Sequence, residues 1–346
     1  MRSQKKKTAA SLGVAIEGWY VHGCLRLSGA DEENQEFLRQ FDSNRPGLEA
    51  MCAWARQSAA AAGLPESELI DVCLEEQEPA SIGVYSVLEA QPGIRLHLAD
   101  AGTLKPKSGE TDPRSLCRKL AESGTAGQLK TIHVPEKALR EVRSLTRHSL
   151  DLERQCREAE KTVKQILSEA SGDTACFDLQ LADPEVRKRL FQAAAGKKAA
   201  RSEAFGMPML SKVDAFMLKD ALDWLDQNEK SLQKYQKRTK MLLAPYEKTL
   251  NRLENIPNLS RAQAMGLLCE IGTDLHAFAD ADAFIQWCGF ASAKSLPPKN
   301  SEAAWRRHYL SRLLETAPGK RPKGRKQSAC CAQKLTEIWQ VLKETS

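Results

Sequence analysis

The sequence predicts an α/β domain followed by long helices, and three observations carry this prediction. Short apolar runs typical of strands alternate with a helix-compatible segment in the N-terminal third of the chain. A heptad-like series of apolar residues then extends, with an interruption, to Leu253. A capping turn between two further helical segments follows it. With 346 residues the chain is long enough for two or three units, each with its own core.

The N-terminal third contains three stretches typical of strands. Residues 11–28 and 69–75 are rich in Val, Leu and Ile, and residues 94–98 follow a glycine turn. Residues 46–62 are rich in alanine and compatible with a helix. Strands that alternate with helices predict a sheet covered by helices.

Two long helices are expected next. Residues spaced by three and four positions form one apolar series from Val142 to Ile166 and another from Leu218 to Leu253. Pro245 is expected to bend the second helix, because proline removes a backbone donor and clashes with the preceding turn. The helices form an antiparallel arm or pair with another subunit, and residues 168–208 are the tip or a link.

The segment after the second helix predicts a helical module. Residues 256–260 form a turn between two helix-compatible segments, and Ser260 is placed to cap the second of them. Such a turn holds a phosphate on free helix N–H groups, or it is an ordinary helical hairpin. The domains expected from these patterns are 11–132, 133–250, 251–317 and a basic tail with a short helix at 318–346.

Composition narrows the class of protein. Lysine and arginine number 51 against 45 acidic residues, and the excess is concentrated at residues 5–7 and 320–326. Each basic run is a solvated tail or an arm that contacts phosphates. The ten cysteines show no zinc-type spacing, and no apolar stretch is long enough to cross a membrane. We therefore expect a cytoplasmic protein with reduced thiols.

Two acidic residues are candidate metal ligands. Glu75 lies at the carboxyl end of an apolar strand, where the active-site ligands of α/β folds collect. Asp112 comes directly before Pro113 at the start of a predicted helix, so it is a helix cap or a ligand. Converging carboxylates that bind divalent metal support phosphoryl transfer on nucleic acid.

The order of several motifs resembles the DEDD transposases, the insertion-sequence family that also contains the invertase Piv. The matching segments, between residues 11 and 317, are FDSNRPGLEAMCAWA, DVCLE, ETDPRSLCRKLA, ALREVRSLTRHSLDLER, IPNLSRAQAMGLLCEIG and FADADAFIQWCGF. The resemblance implies a RuvC-like domain with the RNase H fold, a coiled-coil arm and a C-terminal module with a helix-hairpin-helix-like turn. It also implies a homo-oligomeric recombinase that binds DNA and a guide RNA and transfers DNA strands with Mg²⁺ or Mn²⁺.

The resemblance assigns the metal ligands to particular residues. Two of its four acids match Glu75 and Asp112, whereas the first and fourth fall on Ala15 and Ser115. Glu17, two residues along the same strand, is the candidate to reach the missing first position. The residues assigned to the metal are thus Glu75, Asp112 and Glu17.

The resemblance also implies a nucleophile and contacts to nucleic acid. Ser295 lies nearest to the position of the serine nucleophile. Trp287 is expected to pack within the hairpin rather than to stack on bases. The expected nucleic-acid contacts are Arg140, Arg143, Arg147, Arg306, Arg307 and Arg312. Three functions stay open: an active transposase, a catalytically impaired relative that only binds nucleic acid, and a coiled-coil scaffold with no nucleic-acid role.

Overall fold

A computed structural model gives the fold of the chain. The residues that it describes are 10–28, 34–65, 67–76, 80–100, 112–171, 179–196, 210–290, 302–314 and 325–344. They divide into a sheet unit, drawn from residues 1–137 and 272–346, and an arm unit, drawn from residues 138–271. The second boundary follows Ile271, whereas the sequence patterns put the end of the arm at residue 250.

The described part of the sheet unit contains a five-stranded mixed sheet of order β3-β2-β1-β4-β5. The strands are β1 (Ala10–Glu17), β2 (Tyr20–Ser28), β3 (Asn34–Asp42), β4 (Ile70–Glu75) and β5 (Ile94–Ala99). β1, β2 and β3 are antiparallel neighbours, whereas β4 and β5 continue the sheet parallel to β1. The expected strands are confirmed. β3 is an additional strand, which its polar and mostly exposed residues did not indicate.

Helices cover both faces of this sheet. They are α1 (Arg45–Ala61), α2 (Ala80–Leu88) and α3 (Pro113–Thr125). α1 and α2 pack on one face with Val14, Val72 and Leu74, and α3 packs on the other with Ala15 and Cys73. Alternate residues of a strand face opposite sides, so the last residue of β4 lies on the α3 face, as Cys73 does.

α3 approaches β1 closely at two glycines. A Cβ atom added at Gly13 would lie 1.9 Å from the carbonyl oxygen of Cys117, and one added at Gly124 would lie 2.1 Å from the hydroxyl of Ser11. The later residue of β1, Gly13, meets the earlier residue of α3, Cys117, and Ser11 meets Gly124, so the two elements are antiparallel. The N-terminal end of α3, capped by Asp112, therefore lies toward the carboxyl end of β1.

The arm unit is built on two long helices, α4 (Lys137–Ser171) and α6 (Lys212–Leu242). Ala159 packs with Leu225, and the rings of His148 and Tyr235 lie 4.5 Å apart between centroids. Residues later in α4 therefore contact residues earlier in α6, so the two helices run antiparallel. Of the two arrangements expected from the heptads, the antiparallel arm is the one observed.

Shorter helices complete the described fold. They are α5 (Pro184–Ala194), α7 (Glu247–Glu254), α8 (Arg261–Ile271), α9 (Ala281–Trp287), α10 (Glu302–Leu314) and α11 (Arg325–Lys343). Pro245 lies in a short 3₁₀ segment, so α6 ends where a bend was expected. Ser260 caps α8 as predicted. Its hydroxyl accepts a hydrogen bond from the backbone N–H of Gln263, and the side-chain oxygen of Gln263 accepts one from the backbone N–H of Ser260. Within the described ranges no helix is long and apolar enough to span a membrane.

The carboxylate edge and the candidate nucleic-acid interface

The edge of the sheet where β1 and β4 end is the position expected for a metal centre. Glu75 is the last residue of β4 and is only 4% exposed. Val14 pairs with Leu74 in the parallel register, so the next residue of β1, Ala15, lies beside Glu75 on the α3 face. Asp112 reaches the same edge from the start of α3. We call this place the carboxylate edge.

Asp112 serves as the cap of α3. A carboxylate oxygen accepts a hydrogen bond from the backbone N–H of Ser115 at 3.0 Å, and Pro113 is the first residue of the helix. Ser115, where the resemblance expects the fourth acid, is partly buried and carries only a hydroxyl group. The capping interpretation of Asp112 is confirmed, and it engages one of the carboxylate oxygens.

Glu17 does not come to the place of the missing first acid. Its carboxylate lies 2.7 Å from Nε2 of His22, which is buried on β2 directly across from Ala15. β2 and β4 flank β1 on opposite sides. The contact therefore holds Glu17 on the side of β1 away from Glu75, which corrects the expectation from the sequence.

The side chains of the carboxylate edge do not fit a two-metal centre. Such a centre needs several carboxylates that converge on hard cations, but Ala15 has no donor atom and Ser115 has only a hydroxyl. Across the residues that the structure describes, no three Asp, Glu, His or Cys side chains group closely enough to hold a metal ion. Ser295, the candidate nucleophile, lies outside the described residues.

The arginines at the start of α4 face inward. Arg140 and Arg143 are buried. Arg147 donates two hydrogen bonds, of 2.6 and 2.8 Å, to the carboxylate oxygens of Glu270 on α8. Glu270 is 1% exposed, so this bidentate pair joins two helices inside the arm unit. These contacts within the protein do not favour the expected contact with nucleic acid, which stays a prediction for these arginines.

The arginines of α10 also make contacts within the chain. The guanidinium of Arg306 lies 3.7 Å from the ring centroid of Trp287 and donates to its carbonyl oxygen at 2.6 Å. Arg307 donates to the carbonyl oxygen of Gly289 at 3.0 Å. Arg312 lies 5.9 Å from the ring of Tyr309. Arg306 and Arg307 thus fasten α10 to the end of α9, and Trp287 packs in this module as expected.

An exposed basic surface lies on α6, a helix for which the sequence patterns indicated only an apolar seam. It consists of Lys230, Lys234, Lys237, Arg238 and Lys240, all of which are exposed. With 3.6 residues per turn, Lys230, Lys234, Lys237 and Arg238 lie on the side of α6 opposite the buried residues Leu225 and Thr239, and Lys240 lies at the margin of that side. None of them has an ion-pair partner among the described residues. We call this surface the basic stripe; its signal in the sequence is the absence of any acid from 230 to 246.

A buried carboxylate was also missed. Asp71 on β4 accepts hydrogen bonds of 2.5 and 2.8 Å from Arg95 on β5, and it lies 3.1 Å from Nε2 of His97. The hydrogen bond to Asp71 raises the pKa of Arg95 above its usual value. The signal was available, because polar residues stand at alternate positions of two strands that were both predicted.

Comparison with known proteins adds no family to these observations. No family model matches the chain, and no curated protein matches it. The described residues define a mixed α/β protein with an antiparallel helical arm and an exposed basic stripe. The resemblance to DEDD transposases rests on the motifs of the sequence and stays a hypothesis.

Proposed function

We propose that this chain is a nucleic-acid-binding relative of the DEDD transposases that does not catalyse strand transfer. The observation that carries the proposal is the basic stripe of α6. The proposal takes the second of the three functions that the sequence left open.

The basic stripe is suited to the phosphate backbone of nucleic acid. Lys230 and Lys240 are ten residues apart, which is about 15 Å along a helix axis and so about half a turn of duplex DNA. Its cations have no carboxylate partner among the described residues, so phosphates do not have to displace one. Each phosphate contact releases counterions, and this favours binding without reading the base sequence.

The sheet unit supports a RuvC-like origin. The order of the strands, with three antiparallel strands followed by two parallel ones, is that expected of an RNase H fold. α3 crosses β1 with its capped end toward the carboxylate edge, where the resemblance expects its acids. Glu75 is buried at that edge, as a retained ligand position would be.

The carboxylate edge argues against catalysis by this chain. Ala15 and Ser115 occupy two of the four positions where the resemblance implies acids. Glu17 is held by His22, and Asp112 caps a helix. Loss of metal ligands from a two-metal centre removes the groups that stabilise the attacking and leaving oxygens.

The arm also favours self-association. The N-terminal half of α6 has exposed apolar residues on one side: Val213, Phe216, Met217 and Trp224, which are 65, 73, 47 and 45% exposed. The inner seam of α6 is already filled by α4, so a homo-oligomer would use this outer face. Sedimentation velocity should show a concentration-dependent oligomer that Phe216→Lys dissociates. A wild-type chain that stays monomeric at every concentration would remove this part of the proposal.

The test of binding is the salt dependence of affinity for a duplex DNA and for a structured RNA. In the test variant Lys230, Lys234 and Lys237 are all changed to Gln. We expect its slope of log affinity against log salt to be shallower by about 0.9 for each lost phosphate contact. Thermal unfolding should be unchanged, because exposed side chains contribute little to stability.

A matched control removes the same charge elsewhere in the arm unit. Lys161, Lys188 and Lys219 are exposed, and each is paired with an acid of its own helix. Changing these three to Gln should leave the slope as in the wild type. Equal slopes in the test and control variants would refute the basic stripe as the interface.

Strand transfer is tested on the same preparation. We expect no nicking or joining of supercoiled DNA in millimolar Mg²⁺ or Mn²⁺, since the described side chains supply no two-metal centre. Cleavage that disappears in Glu75→Ala would overturn the proposal and favour an active transposase. Cleavage that survives this change would indicate a contaminating nuclease.

A further inference from the structure

A cleft of about 540 Å³ lies in the sheet unit beside β5. Leu96, His97 and Leu98 of β5 line it. The backbone N–H of Ile132 donates to the carbonyl oxygen of Leu98 at 2.8 Å, so the segment around Ile132 covers the edge of β5 and forms another wall. The volume is in the range typical of sites for small molecules.

Aromatic side chains from separate segments line this cleft. Tyr85 comes from α2, His133 from the segment beside β5, and Phe278 and Trp287 from the region of α9. The ring of His133 lies 5.2 Å from those of both Phe278 and Trp287. Because the rings support one another, these walls are formed before any ligand arrives.

A positioned imidazole lies among these walls. Nε2 of His97 is 3.1 Å from the carboxylate of Asp71, which is 4% exposed. A carboxylate only accepts hydrogen bonds, so the proton on this side of the ring belongs to Nε2. His97 lines the cleft, so its other ring nitrogen, Nδ1, is the atom left to bond a polar group there.

The charges around the cleft do not favour an anion. Lys130 is paired with Asp100 at 2.8 Å, and Arg306 donates to the carbonyl oxygen of Trp287. The two cations of the lining are matched by two acids, Asp100 and Glu76. A planar, uncharged ring with a hydrogen-bonding edge fits aromatic walls and a fixed imidazole better than a phosphate does.

We propose that this cleft binds a nucleobase, as the unpaired base of a bound nucleic acid. The walls and His97 define a site for an uncharged heteroaromatic ring. The choice of a nucleobase within that class rests on the proposed function. Proteins that take a base out of its stack hold it between aromatic side chains and bond its polar edge.

The experiment measures binding of free nucleosides to the full chain by calorimetry or ligand-observed NMR. Adenosine, cytidine and uridine are the probes, ribose tests for binding by the sugar, and naphthalene is a ring without a polar edge. We expect saturable binding of at least one nucleoside and none of ribose. Phe278→Ala should weaken it about tenfold, the factor expected for loss of one stacking contact. His97→Leu should weaken nucleosides but not naphthalene.

A further variant keeps the test valid if Phe278→Ala fails to fold. Ala277 is exposed and lines the cleft, so Ala277→Trp fills the space without removing a packed side chain. Ala277→Trp should abolish nucleoside binding and leave thermal unfolding unchanged. Absence of nucleoside binding to the wild type, or equal binding to all variants, would overturn the proposal.

This outcome is separable from that of the proposed function. Free nucleosides carry no phosphate, so their binding does not need the basic stripe. Absence of nucleoside binding together with salt-dependent DNA binding would refute only the proposal that the cleft binds a nucleobase. Nucleoside binding without any DNA or RNA binding would sink the proposed function and the assignment of the ligand to nucleic acid.

Discussion

The two long helices of the arm differ in where their basic side chains lie. Those at the start of α4 face the interior of the arm unit, and those of the basic stripe on α6 face solvent. His148 lies against Tyr235, so the arginines at the start of α4 and the basic stripe of α6 lie near the same level of the arm. The arginines are buried or paired with Glu270, whereas the cations of the stripe are exposed. Basic residues spaced by three and four positions therefore lie on one side of a helix, but the spacing does not determine whether that side is exposed to solvent.

The partner of a cation decides the difference. Arg147 is separated from Glu270 by more than a hundred residues, and the pair forms only when α8 packs against α4. Arginine suits such a position because its planar group makes two parallel hydrogen bonds to a carboxylate. The stripe is mostly lysine, a strongly hydrated and mobile charge that is common on surfaces. The comparison predicts that inward cations govern stability and outward cations govern binding.

The largest expected effect is that of Arg147→Met. The change leaves the carboxylate of Glu270 buried without its ion-pair partner, which should lower the free energy of unfolding by about 3 kcal/mol. Urea unfolding followed by circular dichroism measures this loss. The matched control is Arg154→Met, an exposed residue of the same helix, which should change stability by less than about 0.5 kcal/mol.

A double variant separates the ion pair from simple packing. Adding Glu270→Leu to Arg147→Met removes the stranded charge, and we expect it to restore most of the lost stability. A single variant as stable as the wild type would show that the inward pair does not hold the arm unit together. That result would break the comparison.

Arg306→Met should have the next largest effect, on the sheet unit. It removes a hydrogen bond to the carbonyl oxygen of Trp287 and the contact with its ring, at a cost of about 2 kcal/mol. Thermal unfolding measures the loss, with Arg45→Met, an exposed residue of the same unit, as the control. If DNA affinity fell and stability did not, Arg306 would be a nucleic-acid contact after all.

The smallest effect is expected for Lys234→Gln in the basic stripe. Stability should stay within about 0.5 kcal/mol of the wild type, since the side chain is exposed and unpaired. The salt slope of DNA binding should change by about 0.9, the value for one phosphate contact. An unchanged slope together with lower stability would show that Lys234 contributes to folding and does not contact nucleic acid.

The sequence was informative wherever local patterns determine structure. The strands within residues 11–28, the strand that ends at Glu75, the heptads of the arm and the caps at Asp112 and Ser260 are all found in the structure. Each follows from alternation, helical period or capping, which act over a few residues. β3 was not predicted because most of its residues are polar and its apolar residues, Phe37, Leu38 and Phe41, are divided between both faces, so no alternation marked it.

The candidate site was less predictable because it depends on long-range contacts. The topology does bring Glu75 and Asp112 to one edge of the sheet. The bond from Glu17 to His22 could not be read from spacing along β1, because it depends on the register with β2. Burial of Arg140 and Arg143 likewise follows from packing that periodicity alone does not determine. The basic stripe has a signal in the sequence, the run without acids, but the apolar periodicity of the same helix indicates only its inner seam.

The central claim is that the outward face of α6, and not the inward arginines of α4, contacts nucleic acid. Lysine acetylation followed by mass spectrometry tests it directly, with and without a saturating duplex DNA. We predict that DNA protects Lys230, Lys234, Lys237 and Lys240, while Lys161, Lys188 and Lys219 keep their reactivity. Equal reactivity of the stripe lysines in the free and the DNA-bound protein would contradict the claim.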